Sequence, residues 1–519
     1  MKNILIIFVL IAHYHLFAQG QTNKSTTIEI EVSGRPTWQK IIPLGKNGLI
    51  LFIKKDVTKA IITRFDTDLK KKWESEIFLD AEKQPTFYTL DEERITFMFS
   101  ENQGMYYQVY SIDLKDGKFE NKGFELREFF QDQNYVYLKD RILMAGMNEK
   151  GAAFYNYNFQ ENLGNFISAE LAGKVQVQYF KYIPQKNIIE SLWSVKESAY
   201  TNEKKKKGEF IKDAYVVYAK YNTSGKLLLK NTIRSNAGNF PLTAKLNEID
   251  STIKIITGTY QSNTGTKGIY FSKIEDGKTT VSKFYDYRVL LKGSLDLSDE
   301  LIKKLVNSFT FLPTQATFGN NITSIAGTFY QPNYQVVTIN SPFYSGYDPY
   351  NNNSNYQRSQ SKHVFKGFNF QYGFAANFDL EGNLLSQNRI DLNQISPQLT
   401  EPLAVNEHHA LAACIKGNLL VSNSIIFANP TSYKLSEELV SEKSSDPKNA
   451  QFLPSYHGVR NWYDNYFIAD GSRVKFEAVK DTDAPKEKPS KRKKGQQSLP
   501  QTTIKKIIYL TKVLSTTEL

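Results

Sequence analysis

The stretch IITGTYQSNTGTKGIYFSKIEDGKTTVSKFYDY, residues 255–287, decides the fold. It reads as an apolar strand, a turn, a second strand led by Gly268, a hairpin at Asp276-Gly277 and a third strand. The same unit returns in ILMAGMNEKGAAFYNYNF (142–159), in FMFSENQGMYYQVYSIDLKDGK (97–118), and in SIAGTFYQ (324–331) with GFAANFDLEGNLL (373–385). A single such unit cannot bury its own apolar face, so its recurrence means a repeat architecture.

Read as four-stranded units, the chain divides at 36–79, 85–127, 135–171, 175–234, 240–288, 309–392 and 402–440. The last turn of these units is marked by Asp66-Thr67-Asp68, Asp116-Gly117, Gln160-Glu161-Asn162, Asn222-Thr223-Ser224-Gly225, Asp276-Gly277 and Glu381-Gly382-Asn383, residues that supply turn conformations at low cost. The remainder, 452–519, offers only three strands, whereas Thr26–Val32 alternates and belongs to no unit. Pairing these remnants closes a ring and removes the open edge between the first and last units. The expectation is an all-β chain, a β-propeller of about eight four-stranded blades with seven as the alternative count, its ring closed by the N-terminal strand. The 31 Tyr and 34 Phe fit a strand-rich chain. One helix is expected over Ser298–Asn307, capped by Ser298, as a connector.

Gly146, Gly258 and Gly327 recur inside the second strand, where crowding near the axis excludes a side chain. Gly104, Gly151, Gly268 and Gly373 are read as the entry of the third strand.

Residues 1–20 carry Lys2, an apolar run from Ile4 to Ala12, small residues at Ala18 and Gly20, and no acid, the pattern of a secretory signal. The expected domain layout is a signal over 1–20 followed by one propeller over 26–519, periplasmic or secreted, with no transmembrane segment after signal removal. Cys414, the single cysteine, sits in the apolar LAACIKG and reads as a small buried hydrophobe. The net charge of +12 is partly local: Glu203–Glu209 holds four Lys and two Glu, and Asp481–Lys494 six cations and three acids. A basic balance concentrated in loops argues against a nucleic-acid surface.

Three insertions carry the functional reading. They are EKKKKGEFIK (203–212) in the fourth unit, 332–366 in the sixth and the charged run 479–503 in the eighth, the last expected to be disordered. Each joins the second strand to the third, so all three leave the ring on one face. In 332–366, Tyr334, Phe343, Tyr344, Tyr347, Tyr350 and Tyr356 are interleaved with polar residues, Arg358 and His363, a composition suited to partner contacts or sugar stacking. His457, Arg460 and Trp462, with Asp464 and Asp470, form a second candidate cluster in the eighth unit. No metal site and no cofactor are expected: His408 and His409 are consecutive on a strand and point to opposite faces, and no nucleophile-elbow, HExxH or phosphate-loop motif occurs.

Across most of its length beyond the signal the chain resembles secreted or periplasmic β-propeller proteins in general, through its repeated hairpin units. That resemblance implies an architecture and carries over no catalytic residue. The functional expectation is a non-enzymatic envelope or secreted binding or scaffold propeller presenting its loop-decorated face to a protein or glycan. The alternative is a carbohydrate-active enzyme with acidic residues in the central funnel. A quinone-dependent dehydrogenase is disfavoured, because only 4 Trp are present and no docking motif repeats.

Overall fold

The computed structural model describes residues 26–514 apart from 34–37, 57, 80–83, 101–104, 202–207, 236–237, 293–296, 320, 341–358, 397–398, 400–402, 406–408, 417–418, 427–432, 440–454 and 479–501. Strand β1 (Thr26–Ser33) stands before the first complete blade. Blade 1 is β2 (Trp38–Pro43), β3 (Leu49–Lys54), β4 (Lys59–Phe65) and β5 (Lys71–Phe78). Blade 2 is β6 (Gln84–Leu90), β7 (Arg94–Ser100), β8 (Tyr106–Asp113) and β9 (Phe119–Glu125), and blade 3 is β10 (Gln131–Tyr137), β11 (Arg141–Asn148), β12 (Gly151–Asn158) and β13 (Leu163–Ser168). Blade 4 contains β14 (Lys174–Ile183), β15 (Ile188–Thr201), β16 (Gly208–Asn222) and β17 (Leu227–Ile233). Blade 5 contains β18 (Asn239–Pro241), β19 (Lys245–Glu248), β20 (Ile253–Ser262), β21 (Lys267–Glu275) and β22 (Lys278–Asp286). Blade 6 follows as β23 (Thr310–Gly319), β24 (Ile322–Asn340), β25 (Ser359–Phe378) and β26 (Leu384–Ser396). Blade 7 is β27 (Leu403–Val405), β28 (His409–Lys416), β29 (Leu419–Ile426) and β30 (Tyr433–Leu439). The last strands are β31 (Ser455–Tyr463), β32 (Tyr466–Ala478) and β33 (Thr502–Leu514).

These strands form seven four-stranded sheets and one five-stranded sheet, all antiparallel, arranged as a β-propeller. The eighth sheet has the order β1-β33-β32-β31, so the N-terminal strand supplies its outer edge. Thr26 faces Lys512 and Ser33 faces Lys505 in an unbroken antiparallel register. The expected closure is therefore present. Ile28, Ile30 and Val32 point inward to a core shared with Ile41, Leu49 and Leu51 of blade 1 and Ile468, Ile508 and Leu510 of the closing sheet. Between blades 1 and 2 the filling is aromatic, with Phe52 lying 4.8 Å from Phe97 and 5.9 Å from Phe99. Interdigitation of this kind is what two twisted sheets need to exclude water between them.

The five-stranded sheet was not legible in advance. In blade 5 the innermost strand is broken into β18 and β19, which both pair with β20. The break follows Pro241, whose ring nitrogen has no hydrogen to give to a ladder. Helix α1 (Tyr287–Lys292) was likewise unforeseen, whereas α2 (Asp299–Ser308) lies one residue from its expected place, with the Ser298 hydroxyl accepting from the Leu301 amide at 3.3 Å. Both helices seal the gap between blades 5 and 6, burying Leu290, Leu291, Ile302 and Leu305 against Phe271, Phe329 and Phe374.

The second-strand glycines have a specific cause. The innermost strands bulge at one level, between Asp132 and Asn134, Val177 and Tyr179, Pro313 and Gln315, and Tyr456 and Gly458. Gly146, Gly327 and Gly471 each face the residue just before such a bulge, and Gly258 lies opposite the break in blade 5. There the inner strand swings close to its neighbour: a Cβ on Gly258 would lie 1.9 Å from the Thr243 carbonyl oxygen, and one on Gly146 2.1 Å from that of Gln131. Gly373, by contrast, falls inside β25 rather than at its entry, because that strand already begins at Ser359.

The turns between third and fourth strands also act between blades. Asn222 Oδ1 accepts from the amides of Ser224 and Lys226, and Asp379 Oδ1 from those of Glu381 and Asn383, closing each turn on a side chain. The glycine of each turn then docks on the outer strand of the preceding blade. Ser75 Oγ donates to Gly117 O at 2.8 Å, Asn231 Nδ2 to Gly277 O at 2.8 Å, and the Tyr285 hydroxyl to Gly382 O.

Candidate binding face and funnel mouth

In a four-stranded antiparallel meander the second-to-third connection and the passage to the next blade leave the sheet at one end, and the other two turns at the opposite end. The three insertions obey this rule. They join β15 to β16, β24 to β25 and β32 to β33, always second strand to third, in blades 4 and 6 and in the closing sheet. Elsewhere the same connection is short: Glu149-Lys150 in blade 3 and 263–266 in blade 5. One face of the ring therefore carries three long hairpins on alternate blades. Their sequences also concentrate charge, with a net +2 over 203–209, +2 over 331–369 and +3 over 481–494, more than half of the protein's +12.

The hairpin of blade 6 is the best described. Its pairing to β23 ends at Tyr330 and its pairing to β26 at Phe368, yet β24 and β25 continue together from Gln331↔Asn369 out to Asn340↔Ser359. The result is a two-stranded ribbon standing beyond the sheet. Tyr334 and Val336 are 57% and 54% exposed, and Phe365, directly opposite Tyr334, is 43% exposed. A chain of ring contacts runs from this tip inward, Tyr334 to Phe365 at 5.5 Å, Phe365 to Phe368 at 5.1 Å, and Phe368 through Tyr330 to the buried Phe370. His363 faces Val336 on the ribbon and is exposed, as are Lys362 and Lys366. Tyr344, Tyr347, Tyr350, Tyr356 and Arg358 lie outside the described residues. Tyr334 was among the aromatic residues expected to meet a partner, whereas Val336 and Phe365 were not; the alternation Tyr334-Gln335-Val336 was the available signal.

The cluster in the closing sheet divides. His457 is the bulged residue of β31, the innermost strand, and so lies beside the axis; its side chain is outside the described residues. Arg460 Nη1 donates to the Asp470 carboxylate across the β31–β32 pair, which ties both groups into the sheet. Trp462 is only 4% exposed, and its indole N–H donates to Gly48 O of blade 1 at 2.7 Å. It belongs to the core that locks the last blade to the first, not to a surface that a ligand would meet.

Around the axis, polar side chains serve mainly to join blades. Gln133, the bulged residue of β10, donates through Nε2 to Val175 O at 3.0 Å and accepts from the Val177 amide at 2.6 Å. Gln178, at the next bulge, accepts from the Ala244 amide at 3.3 Å. Neither glutamine was singled out from the sequence. Among the acids on the innermost strands, Glu248 is held by Lys254 and Asp132 accepts from the Tyr107 hydroxyl at 3.0 Å. Glu190, on a second strand and fully buried, accepts from the Tyr218 hydroxyl at 2.9 Å and lies 3.5 Å from Lys220 Nζ. Among the described residues no group of three or more His, Cys, Asp or Glu is gathered for a metal ion. Nor is any helix there long and apolar enough to cross a membrane.

Burial holds the Asp132 carboxyl above its usual range, an effect only partly offset by the Tyr107 hydroxyl. A carboxyl raised in this way binds its proton more tightly in the folded chain than in the unfolded one. Ionising it therefore costs stability, fully above the folded value and not at all below the unfolded value near 3.8. Asp132→Asn, which keeps an acceptor for Tyr107, is expected to raise the unfolding midpoint at neutral pH, with the gain vanishing as the buffer approaches pH 3.8. Thermal unfolding of both proteins across that range measures it.

Fold and face together define a β-propeller with one hairpin-bearing rim. No protein-family model matches the chain, and no curated protein matches it. Among solved structures it is similar to the polysaccharide lyase Uly1, at 8% identity over 83% of this chain and 90% of that one, TM-score 0.38. It is similar to the uncharacterized protein lmo1340 from Listeria monocytogenes EGD-e, at 9% identity over 81% and 99%, TM-score 0.36. Prolyl oligopeptidase B from Galerina marginata aligns at 8% identity over 86% of this chain and 56% of its own, TM-score 0.39.

Proposed function

We propose that this protein is a non-enzymatic binding or scaffold propeller of the cell envelope or exterior, and that the rim carrying the three long hairpins receives its partner. The observation behind this reading is that the hairpins of blades 4 and 6 and of the closing sheet occupy one connection type and therefore one face. Aromatic rings on a rigid support contact partners at low entropic cost, and a cationic rim steers anionic ones. The envelope or exterior location rests on the N-terminal pattern of Lys2, Ile4–Ala12 and Ala18.

Replacing 333–367 by an Asn-Gly turn tests the reading, because Pro332 and Phe368 face each other and a two-residue turn joins them. The far-ultraviolet circular dichroism and the unfolding midpoint are expected to stay nearly unchanged, since the ribbon lies outside the sheet. Capture of envelope-extract proteins and of acidic polysaccharides by the immobilised protein is expected to fall by about tenfold, a change of about 1.4 kcal/mol. Undiminished capture by the variant would place the binding face elsewhere.

A further inference from the structure

We infer that the blade 6 hairpin binds by strand addition: an extended polypeptide segment of alternating acidic and apolar residues pairs its main chain along the free edge of β25 at residues 359–367. This rests on the reading that the hairpin rim is the binding face, and it names the partner's chemistry.

Three observations converge. First, β26 ends at Ser396 opposite Phe368, and among the described residues no strand lies beside β25 beyond that point. A strand edge of this length presents a row of main-chain N–H and C=O groups, the template that edge-strand recognition uses. Secondly, one face of the ribbon is open, with Tyr334, Val336, Phe365 and His363 exposed on it, so the apolar side chains of an added strand on that face lie beside Phe365. Thirdly, the charges are of one sign. Residues 331–340 and 359–369 contain Lys362 and Lys366 and no acid. Lys362 faces Val337, on the side opposite to Tyr334, so the intervening side chains of an added strand meet cationic charge.

The same charge disfavours a second copy of this chain, because two β25 edges brought together would oppose Lys362 and Lys366 with their own kind. An anionic polysaccharide satisfies the charge but has no main chain to satisfy the edge. Main-chain pairing is therefore the discriminating feature.

The test uses the whole protein and a fluorescent Glu-Val repeat peptide in three forms: unmodified, N-methylated on every Glu, and N-methylated on every Val. An added strand turns only one alternating set of its amides toward the edge. One methylated peptide is expected to lose affinity by about tenfold while the other binds within about twofold of the parent. Lys362→Glu with Lys366→Glu is expected to weaken the parent peptide by a similar factor. Equal affinity of the two methylated peptides overturns strand addition, and so does equal binding of the parent peptide by the hairpin-replaced variant. If partners are still lost on hairpin replacement while the methylated peptides bind alike, the binding face stands and the strand-addition inference falls. If hairpin replacement loses nothing, both fall.

Discussion

Removal of residues 26–33 is expected to lower the unfolding midpoint by roughly 5 °C and to make the protein self-associate. The deletion takes away eight paired residues of the β1–β33 ladder. It also strips the buried Val32 and the partly buried Ile28 and Ile30 from the closing core. Burial of one such side chain is worth about 1.5–3 kcal/mol, so the loss is on the order of 5 kcal/mol, comparable with the whole stability of many proteins. At about 2 cal/mol/K of unfolding entropy per residue, a chain of this length converts that to about 5 °C. The bared strand, which includes Ile507, Ile508 and Leu510, then becomes an open apolar edge. Calorimetry and light scattering of the truncated protein measure both effects, and a synthetic peptide TTIEIEVS added in trans is expected to restore the midpoint. An unchanged midpoint after truncation would show that the ring does not depend on this strand.

Gly258→Ala is expected to cost about 3–5 kcal/mol, a large loss for the addition of one methyl group. Its new Cβ would sit 1.9 Å from the Thr243 carbonyl oxygen and 2.7 Å from the carbonyl carbon, and both are main-chain atoms that cannot rotate aside. The inner strand of blade 5 would have to move away from its neighbour. Gly265→Ala is the matched control. That residue has φ +86° but nothing within 4 Å of the added carbon, so only the backbone preference is lost, about 1–2 kcal/mol. Urea unfolding of the two variants against the parent gives the comparison; equal losses would mean that crowding at the bulge is not what requires glycine.

What could be read beforehand was whatever repeats locally. The Asp-Gly turns and Asn222-Thr223-Ser224-Gly225 announced the third-to-fourth hairpins, and the unclaimed alternation of Thr26–Val32 announced closure, because each signal lies within a few residues of chain. The second-strand position of all three insertions was legible for the same reason. Partners distant in sequence were not. Ser75, Asn231 and Tyr285 carry no mark showing that each holds the next blade's turn. Trp462 looked like part of a pocket because Arg460 and Asp470 sit near it. Its bond to Gly48 spans 414 positions and no local pattern encodes it. In the ribbon the tyrosines of the insertion were visible in the sequence, but that Phe365 stands directly opposite Tyr334 was not, because the pairing joins residues 31 positions apart.

The ring closure also fixes an order of events in biosynthesis. Blades 1 to 7 each pair strands that lie close together in sequence, so they can fold as the chain emerges. Residues 26–33 are made early, yet they must wait until 505–512 appear. Joining ends so far apart carries a chain-entropy cost on the order of 5 kcal/mol, against about 1–2 kcal/mol for a tight hairpin. The waiting strand is suited to the delay. Its outward positions are Glu29 and Glu31, charges that discourage pairing with stray edges and that finally settle against Arg473 and Lys505.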